Sequence, residues 1–127
     1  MKATLHIVTT AEGQENQVTR EATCELGVDF AKIYYQDEQA FVQVTIEKGK
    51  VEIFREGDYG MKMLFQEKVA TPVTLEIGGS VGEITAETYR LGYLISDTSC
   101  LLHLHYALVF SESEKQEINL RLHAKCL

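Results

Sequence analysis

The sequence predicts an all-β protein: an antiparallel meander β-barrel of about eight to ten strands with little or no helix. Three observations carry this. Apolar and polar residues alternate with period two along most of the chain, as where Val42, Val44 and Ile46 alternate with Gln43, Thr45 and Glu47. Turn signals such as Lys48-Gly49 and Gly78-Gly79 recur at intervals of roughly 8–13 residues. No window of about ten residues keeps the i, i+3, i+4, i+7 spacing of an amphipathic helix. Sequential hairpins favour a meander, and closing it into a barrel removes the exposed sheet edges. At 127 residues the chain fits one domain, 1–127.

The elements follow in order. Residues 4–9 form a first strand, turned by Glu12-Gly13-Gln14. Residues 17–26 form a longer second strand, with Val18, Ala22, Cys24 and Leu26 on one face and Arg20 as the charged exception on that face. Gly27-Val28-Asp29 leads into a strand over 30–35, and Asp37-Glu38 into the strand of Val42, Val44 and Ile46. Residues 50–66 read as two strands around Glu56-Gly57-Asp58, with Val51, Ile53 and Arg55 on one face of the first and Met61, Met63 and Phe65 on one face of the second. Pro72 lacks a backbone donor and suits the start of the strand bearing Val73, Leu75 and Ile77. Ile84, Ala86 and Thr88 share a face until Leu91-Gly92 breaks or bulges the strand, and residues 93–95 follow. Residues 101–110 form the most apolar strand, with Leu102, Leu104, Tyr106, Leu108 and Phe110 predicted to face inward. After Ser111-Glu112-Ser113-Glu114-Lys115, Ile118, Leu120, Leu122 and Ala124 alternate with polar residues.

Charge and composition exclude several classes of function. The net charge is −7 and the basic residues are dispersed, so nothing resembles a phosphate-binding track and no nucleic-acid partner is expected. No stretch approaches the roughly 20 apolar residues of a membrane helix, and the N-terminus lacks the apolar segment of a signal peptide. Cys24, Cys100 and Cys126 are odd in number and form no CxxC pair, against a disulfide framework or zinc ribbon. These features predict a cytoplasmic protein with reduced cysteines, no membrane partner and no cofactor. Cys100 beside a turn and Cys126 near the C-terminus are the two with an expected route to solvent.

With the strand order in hand, the chain resembles the YwiB-like family of small, uncharacterised bacterial proteins. The likeness rests on Val51-Glu52-Ile53-Phe54-Arg55-Glu56-Gly57 followed by Met61-Lys62-Met63-Leu64-Phe65, on Tyr34-Tyr35-Gln36-Asp37-Glu38 after Gly27, on Gly82-Glu83-Ile84-Thr85-Ala86-Glu87-Thr88, and on Tyr106 in the final hairpin. The resemblance implies a lipocalin-like (calycin) barrel and names no activity. One departure stands out: Ile77-Gly78-Gly79-Ser80-Val81-Gly82 lacks the aromatic residues the family tends to carry there.

Several constellations bear on chemistry. Arg55 and Arg20 sit on otherwise apolar faces. A guanidinium pointing inward needs a partner, either a carboxylate of the protein or an anionic ligand bound bidentately. The plainer reading is a structural ion pair at a barrel mouth. Met61, Met63, Phe65, Tyr34 and Tyr106 are the candidate apolar lining of a ligand site, set against the commoner role of packed core. His103 and His105 share a strand face, and a third metal ligand would have to come from a neighbour, His123 on the strand paired through the last hairpin, or Glu117 or Glu83; their parity, opposite to the leucines, points them at solvent instead. No GxSxG elbow, P-loop or Cys–His pairing supports catalysis.

The expectation is therefore a non-enzymatic barrel that binds a small, partly apolar, anionic ligand in or at its mouth. The alternative is an interaction module with a packed interior, acting through its outer face as a homodimer, with Phe54, Leu64, Leu101 and Val109 in the contact. A His-based metal enzyme is the third.

Overall fold

The computed structural model describes residues 1–127 and contains no helix. Ten strands run β1 Lys2–Ala11, β2 Gln14–Gly27, β3 Phe30–Asp37, β4 Ala40–Glu47, β5 Lys50–Glu56, β6 Gly60–Gln66, β7 Ala70–Ile77, β8 Ser80–Ile95, β9 Ser99–Ser111 and β10 Glu114–Cys126. Each pairs antiparallel with its sequence neighbours, and β1 pairs with β10 to close the barrel. The predicted antiparallel meander barrel is thus the observed fold, with ten strands.

Local chemistry explains the turns. Type I′ hairpins need positive φ at both central residues. Glu12-Gly13, Lys48-Gly49 and Gly78-Gly79 meet that requirement, each ending in a glycine. Gly57 is required for a different reason: a Cβ there would lie 2.5 Å from the Gln39 carbonyl oxygen and 2.8 Å from the Ala40 Cα. The β5–β6 connection therefore docks directly beneath the β3–β4 turn. Pro72 is the third residue of β7 rather than its start, and the β6–β7 ladder ends beside it, at Met63↔Val73.

Two irregularities redirect side chains. β8 is continuous where the sequence predicts an interruption at Leu91-Gly92; its bulge lies at Tyr89, between Thr88 and Arg90. One extra residue switches the inward positions from Ala86 and Thr88 to Leu91, Tyr93 and Ile95, and turns Gly92 and Leu94 outward. A second bulge faces Phe110, between Ser111↔Glu114 and Val109↔Lys115. Phe110 is consequently 45% exposed, not the core residue its even position predicts.

The interior is filled. Twenty-two buried residues form one cluster, with Phe65, Leu5, Ile33, Ile46 and Leu104 among its largest wholly buried members. The Phe65 ring packs 4.6 Å from that of Tyr106, whose phenol burial pushes up to about 12. At one end, the Tyr93 hydroxyl donates to Asp29 and accepts from the Gly49 amide, tying β8 to the β2–β3 and β4–β5 turns.

Candidate functional site

The two arginines expected at a mouth do share one end of the barrel. Registers Ala22↔Tyr35, Tyr35↔Val42 and Val42↔Arg55 place Tyr35 between them, and burial of that phenol pushes it up to about 12. Arg55 is only 15% exposed, and its partners come from its own hairpin. Nη2 donates to Asp58 Oδ1 at 2.8 Å, Nη1 donates to the Tyr59 carbonyl at 2.8 Å, and the guanidinium lies 3.6 Å from the Tyr59 ring centre. The Arg55 hydrogen bond holds the Asp58 carboxyl below the usual carboxylate range. A hollow of about 620 Å3 adjoins this hairpin, and its charged lining is Arg55 and Lys62 against Glu56, Asp58 and Glu76. Three carboxylates against two cations make poor surroundings for an anion.

Arg20 serves a seam. β2 pairs with β3 only over Ala22 to Gly27, and residues 14–21 pair with β1 alone. Just past the last rung, Arg20 Nη2 donates to Asp37 Oδ1 at 2.9 Å, bridging strands that have parted. A hollow of about 810 Å3 opens outside that seam. Tyr34 belongs there, not to the interior: it faces outward, its ring 6.1 Å from Phe41 and 5.7 Å from Lys32 Nζ. Met63, Phe65 and Tyr106 are buried in the packed core, and Met61 is half-buried against it.

The histidines do face outward, as parity predicts, but do not converge. His105 Nε2 lies 2.5 Å from Glu117 Oε1, with the ring edge-on to Tyr89 at 5.1 Å. His103 and His123 belong to a separate groove with His6, and no group of three His, Cys, Asp or Glu residues is placed to hold a metal ion. The residues of the expected dimer contact are separated too. Phe54 and Leu64 lie on β5 and β6, and Leu101 and Val109 at opposite ends of β9, three strands from β6 and four from β5 around the barrel. Cys100, expected to reach solvent beside its turn, is instead fully buried because its side chain points into the core, and burial pushes its thiol and that of Cys24 up to about 11; Cys126 alone is half-exposed.

The groove is the feature that sequence reasoning missed. It encloses about 510 Å3 on the outside of β8, β9, β10 and β1. Strand registers build it in two rows. Leu94↔Leu101, Leu101↔His123 and His123↔His6 form one; Gly92↔His103, His103↔Arg121 and Arg121↔Val8 form the other. Gly92 leaves an outward position empty, since a Cβ there would meet nothing within 4 Å. Around that vacancy stand Leu94, 71% exposed, and Leu101, 44% exposed. Only His6 has a side-chain partner among these polar residues, Thr19 Oγ1 at 3.1 Å from its Nδ1. The arrangement offers an apolar floor, a cation and imidazoles with free donor and acceptor positions, which suits recognition.

Comparison with known proteins agrees with the fold. The family model of a domain of unknown function, DUF1934, matches residues 4–122. The crystal structure of the YwiB protein from Bacillus subtilis superposes with a TM-score of 0.83 over 99% of this chain and 92% of that one, at 14% sequence identity. The resemblance read from the motifs is thereby borne out, and at that identity the structural likeness speaks for the barrel alone. No curated protein matches the chain in sequence.

Proposed function

The chain belongs to the DUF1934 family, and we propose that it is a non-enzymatic binding barrel which holds a small, partly apolar ligand on its outer surface, in the groove across β8, β9, β10 and β1. The packed interior then serves as scaffold. One observation carries this reading: an unfilled outward position at Gly92, bordered by exposed Leu94 and Leu101, in a hollow of about 510 Å3. That volume lies within the roughly 300–1,000 Å3 of ordinary small-molecule sites. The mouth is the weaker site, because Arg55 is already paired with Asp58 and the Tyr59 carbonyl, among more carboxylates than cations.

Amide chemical-shift mapping with a panel of partly apolar small molecules tests the proposal. Binders are expected to move the amides of Gly92, Leu94 and Leu101, and Gly92→Phe is expected to remove those shifts while leaving the melting temperature in place. Binders that move Met61 and Leu75 instead would return the site to the mouth.

A further inference from the structure

We infer that the groove is built for an amphiphilic anion, with the head group at Arg121 and its flanking imidazoles and the apolar body lying over Gly92 beside Leu94 and Leu101. This rests on the groove being the binding site, and adds the chemistry of what it takes.

The argument is one of charge segregation. The chain carries 19 acidic residues against 12 basic ones. Yet from Arg90 to Leu94 on β8, Ser99 to His105 on β9, Asn119 to Lys125 on β10 and Thr4 to Thr10 on β1, the outward positions include no carboxylate. They hold Arg90, Arg121 and Lys125, and all four histidines of the protein. Acids border this block from outside it: Glu21 and Glu15 opposite Thr4 and Thr10 on β2, Glu67 accepting from the Leu91 amide, and Glu117 turned to His105. Acids elsewhere on this surface supply partners to Arg20, Arg55 and Lys115, whereas Arg121 is in no ion pair.

Position within the block matters as much as sign. His103 lies directly opposite Arg121, and His123 is two residues along the same strand on the same face. His6 is opposite His123, diagonal to Arg121. A head group above Arg121 therefore meets donors on three strands. From Arg121 across β9 to Gly92 is two strand spacings, about 10 Å. That is roughly the reach of a medium-length acyl chain, and it ends at the position with no side chain. A guanidinium beside an apolar trough complements a carboxylate on a short chain better than it complements a neutral apolar body.

The test is a pair of ligands matched in length, octanoate and 1-octanol, titrated into the isotopically labelled full-length protein and into its Arg121→Gln variant. Octanoate is expected to shift the Gly92, Leu94 and Leu101 amides with a Kd about 10-fold tighter than octanol, the scale of one charge-assisted hydrogen bond. Arg121→Gln is expected to weaken octanoate by about that factor and so erase the preference, read as the ratio of the two affinities in each protein. Raising salt is expected to weaken octanoate alone. Equal affinities for the two ligands, untouched by Arg121→Gln, would overturn the anionic assignment and leave the groove standing as an apolar site. If neither ligand moves the groove amides, the groove reading falls with it. Shifts that follow protein concentration instead of ligand would assign the face to a second copy and overturn the proposal.

Discussion

Arg55 and Arg121 are the same residue in opposite circumstances. Arg55 is mostly buried, flat against Tyr59 and hydrogen-bonded to Asp58 and a carbonyl in one tight connection. Arg121 stands exposed on an open strand face with histidines for neighbours and no carboxylate opposite. An arginine on an apolar face draws attention in a sequence because burying a charge is costly. That cost, though, is why such an arginine brings its own partner. The one free to bind something else sits on the polar face, where it looks ordinary. Availability of donors, not location on the apolar face, separates a structural guanidinium from a recognition one.

The comparison is most severely tested through the core. Phe65→Ala is expected to cost about 3–5 kcal/mol, measured by urea unfolding, because a wholly buried ring is lost. The remaining folded protein should keep its groove affinity. A collapse of groove binding in the folded fraction would mean that interior and groove are one unit. The two glycines sharpen the contrast. Gly57→Ala forces a methyl against the Gln39 carbonyl and is expected to destabilise by about 1–3 kcal/mol. Gly92→Ala enters open space and is expected to stay within about 0.5 kcal/mol. Equal effects would show that the two regions are equally constrained.

The smallest expected effect is on acid stability. Asp58 is held below its ordinary value of 3.8 by the Arg55 hydrogen bond. A depressed carboxyl contributes stability that is present above the unfolded value and lost as pH falls through the folded one. Wild type should therefore lose stability below about pH 4 more steeply than Asp58→Asn. Parallel acid curves for wild type and Asp58→Asn would show that the hairpin pair contributes nothing.

Much of the barrel was legible because the pleat writes itself into sequence. Val42, Val44 and Ile46 alternate cleanly, and all three are buried. Lys48-Gly49 is a turn dipeptide, and both residues adopt the left-handed backbone such a turn needs. Legibility failed wherever a bulge added a residue. Phe110 lies on the apolar parity of β9 and still turns out, because it is itself the unpaired residue of the bulge, which is a feature of pairing. The groove was illegible for a related reason. His6, Gly92, His103 and Arg121 are scattered in sequence and become neighbours only through three ladders. One signal was there to be read: His103, His105, Arg121 and His123 all fall on the outward parity of the final hairpin, with no acid interspersed at those positions except Glu117 and none between Arg121 and His123.

The single extra residue at Tyr89 has a reach beyond its own strand. It sets the phase of everything in β8 that follows, so the assignment of Gly92 to the outside and of Tyr93 to the inside is a matter of counting rather than of composition. Removing one residue there would exchange the two, carrying a phenol into the trough and a void into the wall, with every lining residue still present. A recognition surface of this kind is acquired or erased by a change in length alone, and two chains with identical residues around the groove would differ in whether they have one at all.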